Sequence, residues 1–312
     1  MRFPMLEQSD WSSLLCIQCD SEMVTSPQQP AQRVALTGMF ASALLAIAKI
    51  RIGMRANSTS AVADGLESAA DVIASGVVFL GLWMAARPAD ENHPYGHGRF
   101  EILAALAVGI MLVLAGVGIS SRSLWRIGRD TVPPAAFAMW PILVSLVVKF
   151  GLATVKMRQG RMLDSAALIA DAKNDSVDVV SSTIALISLG LTLYDPVGMV
   201  EADHIGGAIV GVIVGVLGLT VIRDTVYPLT DAMPEPGRVD QIRRIALTVP
   251  GAEAVEKCYA RKTGMKYHVD LHLEVNPDLT VRASHVIAGR VRDALKHELP
   301  WIADVLIHVE PH

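Results

Sequence analysis

The sequence predicts an α-helical membrane protein with six transmembrane helices, followed by a small α+β domain. The chain of 312 residues is 52% hydrophobic and only 19% charged, whereas soluble domains are about 25% charged. Six long apolar stretches precede residue 228, and a composition typical of a soluble domain follows it. A soluble helical bundle could not hide so many stretches from water, so we favour a membrane protein.

Each of the six stretches is long enough to cross a bilayer. A hydrocarbon core about 30 Å thick needs about 20 apolar residues in a helix that rises 1.5 Å per residue. The stretches cover residues 34–53, 60–86, 102–121, 132–155, 168–194 and 205–222. An even number of spans leaves both termini on one side of the membrane. We expect that side to be cytoplasmic, because the C-terminal domain has no means of crossing.

The domain boundaries follow from the changes in composition. Residues 1–32 are predicted to be a disordered tail, 33–227 the transmembrane domain and 228–312 the C-terminal domain. In the last of these, helices are predicted at 239–249 and 281–297, and strands at 255–261, 267–275 and 303–309. The second strand shows the clearest alternation, with apolar side chains against polar ones: Val269, Leu271, Leu273 and Val275 against His268, Asp270, His272 and Glu274.

Charge and cysteine content exclude other classes of protein. A net charge of −4 without a run of Lys or Arg argues against nucleic-acid binding. Three cysteines cannot form a disulfide framework. Cys16 and Cys19 have a spacing that can bind soft metals, but without a second pair nearby we interpret them as part of a tail without a function.

An internal repeat places acidic residues at membrane depth. Residues 63–72 and 170–179 both read A-D-x-x-[E/N]-x-x-x-D-V. Offsets of three and four residues align such side chains on one stripe of a helix. Ionised carboxylates inside a membrane are costly, and they usually mark an ion or proton pathway. Four oxygen ligands for one divalent cation are therefore predicted, a set we call the paired-helix site: Glu67, Asp71, Asn174 and Asp178.

The residues around this site allow simpler interpretations. Asp64 and Asp171 are the outermost acids, and each fits equally well as a helix cap at the membrane interface. Lys173 adjoins Asn174, and we expect its side chain to point away from the site. For Lys149, late in the fourth stretch, we expect snorkelling towards an interface.

A histidine motif lies between the second and third stretches. Residues 90–101 read D-E-N-H-P-Y-G-H-G-R-F-E. A carboxylate and two imidazoles at three- and four-residue spacing suit a tetrahedral, zinc-like site with an open position. We call this set, Asp90, His93 and His97, the loop site.

With this motif, the acidic pairs and the six spans, the chain resembles the cation diffusion facilitator family over about residues 33–312. The resemblance implies a ferredoxin-like cytoplasmic domain and a homodimer. It also implies exchange of a cytosolic divalent metal for protons by alternating access. The family's regulatory zinc positions fall on a set that we call the C-terminal site: Glu256, His272, His285, His308 and Glu310. A charge interlock at the dimer interface is implied between Arg99 and Asp231.

The chain departs from the family's zinc-transporting members at two ligand positions. These members usually carry His or Asp where this chain has Glu67 and Asn174. Without imidazole the site is harder, and it suits Mn²⁺ or Fe²⁺ relatively better than Zn²⁺. The transported metal stays open among these three ions, and no other cofactor is expected. Glu67 or Asp71 must then take up the protons. Residues 156–163 lack a His-rich insertion, which favours a bacterial origin and the inner (plasma) membrane.

Two other classes of function fit the sequence less well. A membrane-anchored metal sensor would not need ligand stripes on two helices. An intramembrane hydrolase would need either two carboxylates that share a proton or an HExxH motif on a helix. The loop instead reads H-P-Y-G-H, with Pro94 and Gly96 breaking any helix. We therefore expect a transporter and not an enzyme.

Overall fold

Six long helices make up the first part of the computed structural model, which describes residues 28–55, 59–126, 139–194 and 200–312. The helices are α1 (Gln28–Arg55), α2 (Thr59–Ala85), α3 (Arg99–Arg126), α4 (Met139–Leu163), α5 (Ala166–Tyr194) and α6 (Val200–Leu229). The C-terminal part contains α7 (Pro236–Ala246), β1 (Ala254–Thr263), β2 (Lys266–Val275), α8 (Val281–Glu298) and β3 (Ile302–Pro311). The predicted fold class is confirmed: a helical membrane region precedes a small ferredoxin-like domain.

Some element boundaries differ from the prediction. Helix α1 begins at Gln28, so the end of the predicted tail is helical. The rest of that tail, with Cys16 and Cys19, lies outside the described residues. Helix α4 begins at Met139 rather than at residue 132, and residues 127–138 also lie outside the described part.

Four of the described helices have the length and apolar composition of a membrane span. Their spans are Gln29–Ile52, Ser68–Ala85, Arg99–Trp125 and Ala208–Leu229. Helices α4 and α5 carry more charged residues, and several of these are buried. On α4, Val147 and Phe150 are exposed, whereas Lys149 and Lys156 are buried. An apolar outer face with charges inside is the arrangement that a lipid-facing helix requires.

Small residues bring α3 and α6 into backbone contact. A Cβ at Gly116 would overlap the backbone of Gly211 and Gly215, and one at Gly218 would overlap that of Val113. Glycines at such positions allow helices in a membrane to pack closely. The close α3–α6 pair stands beside α5, which in turn packs against α2 and α4.

The C-terminal domain has a three-stranded sheet in the order β1-β2-β3. Strand β2 pairs antiparallel with β1 and parallel with β3. Helices α7 and α8 cover one face of the sheet, where Ile242 and Leu295 join Leu271 and Leu273 in the core. The predicted alternation along β2 is confirmed, because every second side chain from Tyr267 onwards is buried. The opposite face therefore presents the histidines and acids of β2.

Candidate metal centre

The α2 and α5 carboxylates of the paired-helix site converge on one point. Asp71 Oδ2 and Asp178 Oδ2 lie 2.9 and 2.7 Å from Lys149 Nζ. The Asn174 amide nitrogen donates a hydrogen bond to Asp71 Oδ1 at 3.3 Å. Three of the four predicted ligands are therefore neighbours. The fourth, Glu67, belongs to α2, but its side chain, like that of Asp64, lies outside the described residues.

The expectation that Lys149 snorkels to an interface is wrong. Its side chain is only 1% exposed, and its ammonium contacts a third carboxylate as well, Asp175 Oδ1 at 2.9 Å. Each of the three N–H donors of an ammonium can face one of these carboxylates. Buried charges persist where they are paired in this way, and so the lysine lies inside the helix bundle.

A second buried lysine extends the arrangement along α4 and α5. Lys156 Nζ lies 2.6 Å from Asp175 Oδ2 and 2.8 Å from Asp171 Oδ2. The Ser75 hydroxyl donates to Asp171 Oδ1 at 2.9 Å. Asp171 is fully buried, so its interpretation as a cap at the membrane interface is wrong. We call the six ionic residues the buried charge network: Asp71, Lys149, Lys156, Asp171, Asp175 and Asp178.

Helix α1 leaves room for this network. A Cβ at Gly38 would overlap Cε of Lys156 and lie 2.9 Å from its Nζ. No side chain larger than hydrogen fits there unless Lys156 moves. The glycine therefore permits the close approach of α1 to the buried lysine.

Lys173 takes no part in the network. Its ammonium lies 3.1 Å from Asp224 Oδ2 on α6 and 3.4 Å from the Thr220 hydroxyl. The expectation that it points away from the paired-helix site is confirmed.

Sequence reasoning missed Asp175 and the two lysines as site residues. A signal for them existed. Asp175 follows Asp171 by four residues and precedes Asp178 by three, which places it on the same stripe. Lys149 and Lys156 are separated by about two helical turns, so both face α5.

The loop site is assembled by a tight turn after α2. The backbone N–H groups of Asn92 and His93 donate to Asp90 Oδ1 at 3.0 and 2.7 Å. The hydrogen bond from His93 holds the pKa of Asp90 below its usual value, so the carboxylate is available as a ligand. His97 Nε2 lies 3.4 Å from Asp90 Oδ2, and its Nδ1 faces the Pro88 carbonyl oxygen at 3.0 Å. The Asp90, His93 and His97 ligand atoms lie within 4.8 Å of one another, which fits a metal.

The C-terminal site lies on the polar face of the sheet. His272 and His308 are direct partners on the parallel strands β2 and β3, with ring centroids 5.1 Å apart. Glu310 Oε1 lies 2.6 Å from His272 Nδ1 and 3.5 Å from His308 Nε2. Two imidazoles and a carboxylate within 4.8 Å form a second ligand group in the described residues.

A bulge in β1 places Glu256 beside Glu310, although Glu256 is not one of the side chains whose ligand atoms lie within 4.8 Å of one another. The register shifts between Val255 and Cys258, so that two residues of β1 oppose His272. Side-chain hydrogen bonding with Glu256, and with His272, holds the pKa of Glu310 below its ordinary value. His285 lies on the exposed surface of α8, and it is not among the described side chains that come within 4.8 Å of each other.

Arg99 and Asp231 meet within one chain. Arg99 Nη2 lies 2.6 Å from Asp231 Oδ1, which connects the start of α3 to the segment after α6. Both side chains are about half exposed. Exposed ion pairs stabilise a protein by about 1 kcal/mol or less. This pair therefore contributes more to the orientation of α3 relative to the segment after α6 than to the stability of the protein.

The turn between α4 and α5 (residues 164–165), which we call the elbow, is joined to the C-terminal domain. Asp164, with a positive φ of 54°, lies in this elbow. Its carboxylate accepts hydrogen bonds from Lys262 Nζ at 2.6 Å and Arg238 Nη2 at 2.9 Å. The Arg238 guanidinium also lies over the rings of Tyr267 and Trp301. The two helices that carry most of the buried charge network are thus attached directly to this domain.

Replacement of Asp164 by Ala is expected to loosen this attachment. The substitution removes two charge-assisted hydrogen bonds and places a β-carbon without a polar group at positive φ. We expect amide hydrogen exchange in the β1–β2 turn to become about 10-fold faster, measured by mass spectrometry on the whole protein. Asp224→Ala, which removes an exposed partner of Lys173, is the matched control. Equal amide exchange rates in Asp164→Ala and Asp224→Ala would show that Asp164 does not attach the C-terminal domain to the helices.

His268 packs against the loop rather than joining the C-terminal site. Its ring meets the Tyr95 ring edge-on with centroids 5.5 Å apart. Burial lowers the pKa of His268, the Arg261 guanidinium lowers it further, and Asp304 and Asp270 oppose the shift. The folded protein therefore binds a proton at this imidazole less readily than the unfolded chain does.

The thermal stability of the protein is expected to depend on His268 at acidic pH. A lowered folded pKa gives a contribution that is complete above the unfolded value of about 6.5. That contribution is lost as the pH falls through the lower folded value. The Tm of the wild type should decrease more steeply below pH about 6.5 than that of His268→Gln. Parallel pH profiles for the two proteins would refute this role.

Comparison with known proteins places these features in one family. Residues 35–230 match the family model described as the cation efflux transmembrane domain, and residues 234–312 match that of the cation efflux protein, cytoplasmic domain. The manganese efflux system protein MneP of Bacillus subtilis is 29% identical over 294 residues, which cover 93% of this chain and 99% of that protein.

Two further relatives extend the comparison. The uncharacterized transporter YdbO of Bacillus subtilis is 30% identical over 297 residues, which cover 92% of this chain and 98% of that protein. The magnetosome protein MamB of Paramagnetospirillum magneticum is 28% identical over 261 residues, 83% of this chain and 87% of that protein. The chain belongs to the cation diffusion facilitator family. It is a membrane protein of a family of metal-efflux transporters.

Proposed function

We propose that the protein exports a divalent transition metal from the cytosol in exchange for protons, by alternating access. The observation that carries this proposal is the convergence of Asp71 and Asp178, from two different helices, on one cation position. In the cycle, a cytosolic ion binds Asp71, Asp178, the Asn174 carbonyl and Glu67. Rocking of the helices then exposes the site outward, and protons taken up by Glu67 or Asp71 displace the ion.

We propose Mn²⁺ or Fe²⁺ as better substrates than Zn²⁺. The described ligands of the paired-helix site, Asp71, Asn174 and Asp178, offer oxygen and no imidazole. Oxygen ligands suit Mn²⁺ relatively well, whereas imidazole favours Zn²⁺. The similarity to a manganese efflux system protein supports the same choice.

The remaining parts of the molecule have supporting roles in this proposal. Residues 33–227 form the transport domain and residues 228–312 a cytoplasmic domain that joins two copies, with Arg99 and Asp231 as a charge interlock near the interface. Both termini are cytoplasmic, and the membrane is the bacterial inner membrane. The loop site and the C-terminal site bind metal in addition to the transported ion, the latter through His272, His308, Glu310 and Glu256, with His285 available from a second copy.

The rival functions explain less of the structure. A metal sensor with a membrane anchor has no use for carboxylates that meet between α2 and α5. A hydrolase needs two carboxylates that share a proton. Here Asp71 and Asp178 are separated by the Lys149 ammonium, which contacts both.

Metal-dependent proton flux in proteoliposomes tests the proposal. A pH-sensitive dye reports the flux of the wild type and of Asp71→Ala with Zn²⁺, Mn²⁺, Fe²⁺, Co²⁺ and Cd²⁺ in turn. We expect flux in the wild type, largest for Mn²⁺ or Fe²⁺, and its loss in the variant. If no metal produces flux in the wild type, the sensor function is favoured instead. A preference for Zn²⁺ would contradict the argument from oxygen ligands.

A further inference from the structure

The Lys149 ammonium occupies the position that a transported cation would take. It lies 2.7–2.9 Å from three carboxylate oxygens, and two of these belong to Asp71 and Asp178. A transition-metal ion would lie closer to the same oxygens, at about 2.0–2.2 Å, but around the same centre. Two cations cannot share that centre, so a metal that binds both carboxylates must displace the lysine.

Asp175 provides a place to which the lysine can withdraw. It is fully buried and is not one of the predicted metal ligands. One of its oxygens contacts Lys149 and the other contacts Lys156, at 2.9 and 2.6 Å. Lys149 can therefore release Asp71 and Asp178 and keep a carboxylate partner. Without such a partner, a displaced ammonium in the low-dielectric interior would be strongly unfavourable.

The formal charges of the network match this exchange. Four carboxylates and two ammonium groups leave an excess of two negative charges among the described side chains. One divalent ion neutralises that excess. Without the lysines the same ion would leave two buried charges uncompensated, which is costly in an apolar medium. Among these six side chains, the two lysines thus reduce the excess negative charge from four to two, and Glu67 lies outside this count.

We infer that Lys149 is a tethered cation that competes with the transported metal and thereby sets both its affinity and its release. The inference rests on the proposed export function. In the metal-free protein Lys149 holds Asp71 and Asp178 together, and on metal binding it moves towards Asp175. Its return helps to expel the metal. A monovalent ion competes less well with a tethered ammonium than a divalent ion does, so the lysine also selects against Na⁺ and K⁺.

Mn²⁺ binding to the full-length protein in detergent tests this role. When the lysine occupies the site for part of the time, the apparent affinity of the site for metal is lowered in proportion to the fraction of time for which the site is free. Lys149→Gln is therefore expected to bind Mn²⁺ at least about 10-fold more tightly than the wild type, by titration calorimetry at fixed pH. Its transport turnover should fall because release becomes slow. A gain in affinity together with slower transport is not an effect that damage to the fold produces.

Three further variants complete the experiment. Lys149→Arg keeps a cation and should retain weaker binding than Lys149→Gln. Lys173→Gln removes a lysine that faces Asp224 instead, and it should bind as the wild type does. If Lys149→Gln does not fold, the double variant Lys149→Gln/Asp175→Asn removes one of the three carboxylates that face the lost ammonium and restores the net charge of the network. The double variant is also expected to bind Mn²⁺ more tightly.

The outcomes separate this inference from the proposed function. If the wild type binds and transports Mn²⁺, but neither Lys149→Gln nor Lys149→Gln/Asp175→Asn binds Mn²⁺ more tightly, the inference is overturned and the export function stands. If neither the wild type nor any variant binds or transports Mn²⁺ or another divalent metal, both are overturned.

Discussion

Asp178→Asn is expected to lower metal-dependent transport by about 100-fold or more. The change removes one of the carboxylates that converge at the cation position, while the amide keeps its size and much of its hydrogen bonding. Substitutions one layer outside a metal's ligands already cost 10–100-fold in affinity or activity, and loss of a direct ligand costs at least as much. Initial rates of Mn²⁺ uptake into inside-out vesicles, at matched protein levels, measure the effect.

The fold is expected to survive this substitution because Lys149 keeps two other carboxylate partners, Asp71 and Asp175. Asp224→Asn is the matched control: it removes an acid that also pairs with a lysine, but outside the network. The control should transport at nearly the wild-type rate. Transport by Asp178→Asn at the rate of this control would exclude Asp178 as a ligand.

Lys156→Met is expected to destabilise the protein more than any other single substitution considered. It leaves Asp171 without its ammonium partner and Asp175 with one partner instead of two. Breaking a buried ion pair from one side costs about 3–5 kcal/mol, which corresponds to a decrease in Tm on the order of 10 °C. Thermal unfolding in detergent measures the decrease.

A double variant distinguishes lost pairing from lost packing. Lys156→Met/Asp171→Asn removes one of the charges left uncompensated and should recover a large part of the lost stability. Lys173→Met, whose partner Asp224 is half exposed, should change stability by about 1 kcal/mol or less. If the double variant is as unstable as the sum of its single substitutions, Lys156 does not act through its charge.

Gly38→Ala tests the same lysine from another helix. Its Cβ would overlap the Lys156 side chain, so we expect impaired stability and transport. Gly151→Ala on α4 lies in open space and should be tolerated. A Gly38→Ala protein with normal stability and transport would show that Lys156 has room to move.

The sequence predicts the helices and strands well because each is encoded locally. Apolar length indicates the spans, and the alternation along β2 identifies its buried face. The repeated acidic stripe likewise places Asp71 and Asp178 on facing helices. These features depend on spacing within a single element, which a sequence shows directly.

The pairing of charges between elements could not be predicted in the same way. The sequence predicts an interfacial Lys149 because a lone lysine in a membrane helix usually snorkels. Its actual position depends on carboxylates from α2 and α5, which are distant in sequence. Asp175 is not indicated by the repeat because the two copies differ at its position, where the first copy has Ser68. It is nevertheless the residue that connects the two lysines.

The location of bound Mn²⁺ tests the account most directly. Anomalous diffraction at the manganese edge, from crystals grown with the metal, would give its position without reference to activity. We predict a strong peak between the carboxylates of Asp71 and Asp178, with Lys149 Nζ moved towards Asp175. Peaks confined to the loop site or the C-terminal site, with Lys149 still in contact with Asp71 and Asp178, would contradict both the proposed transport site and the displacement of the lysine.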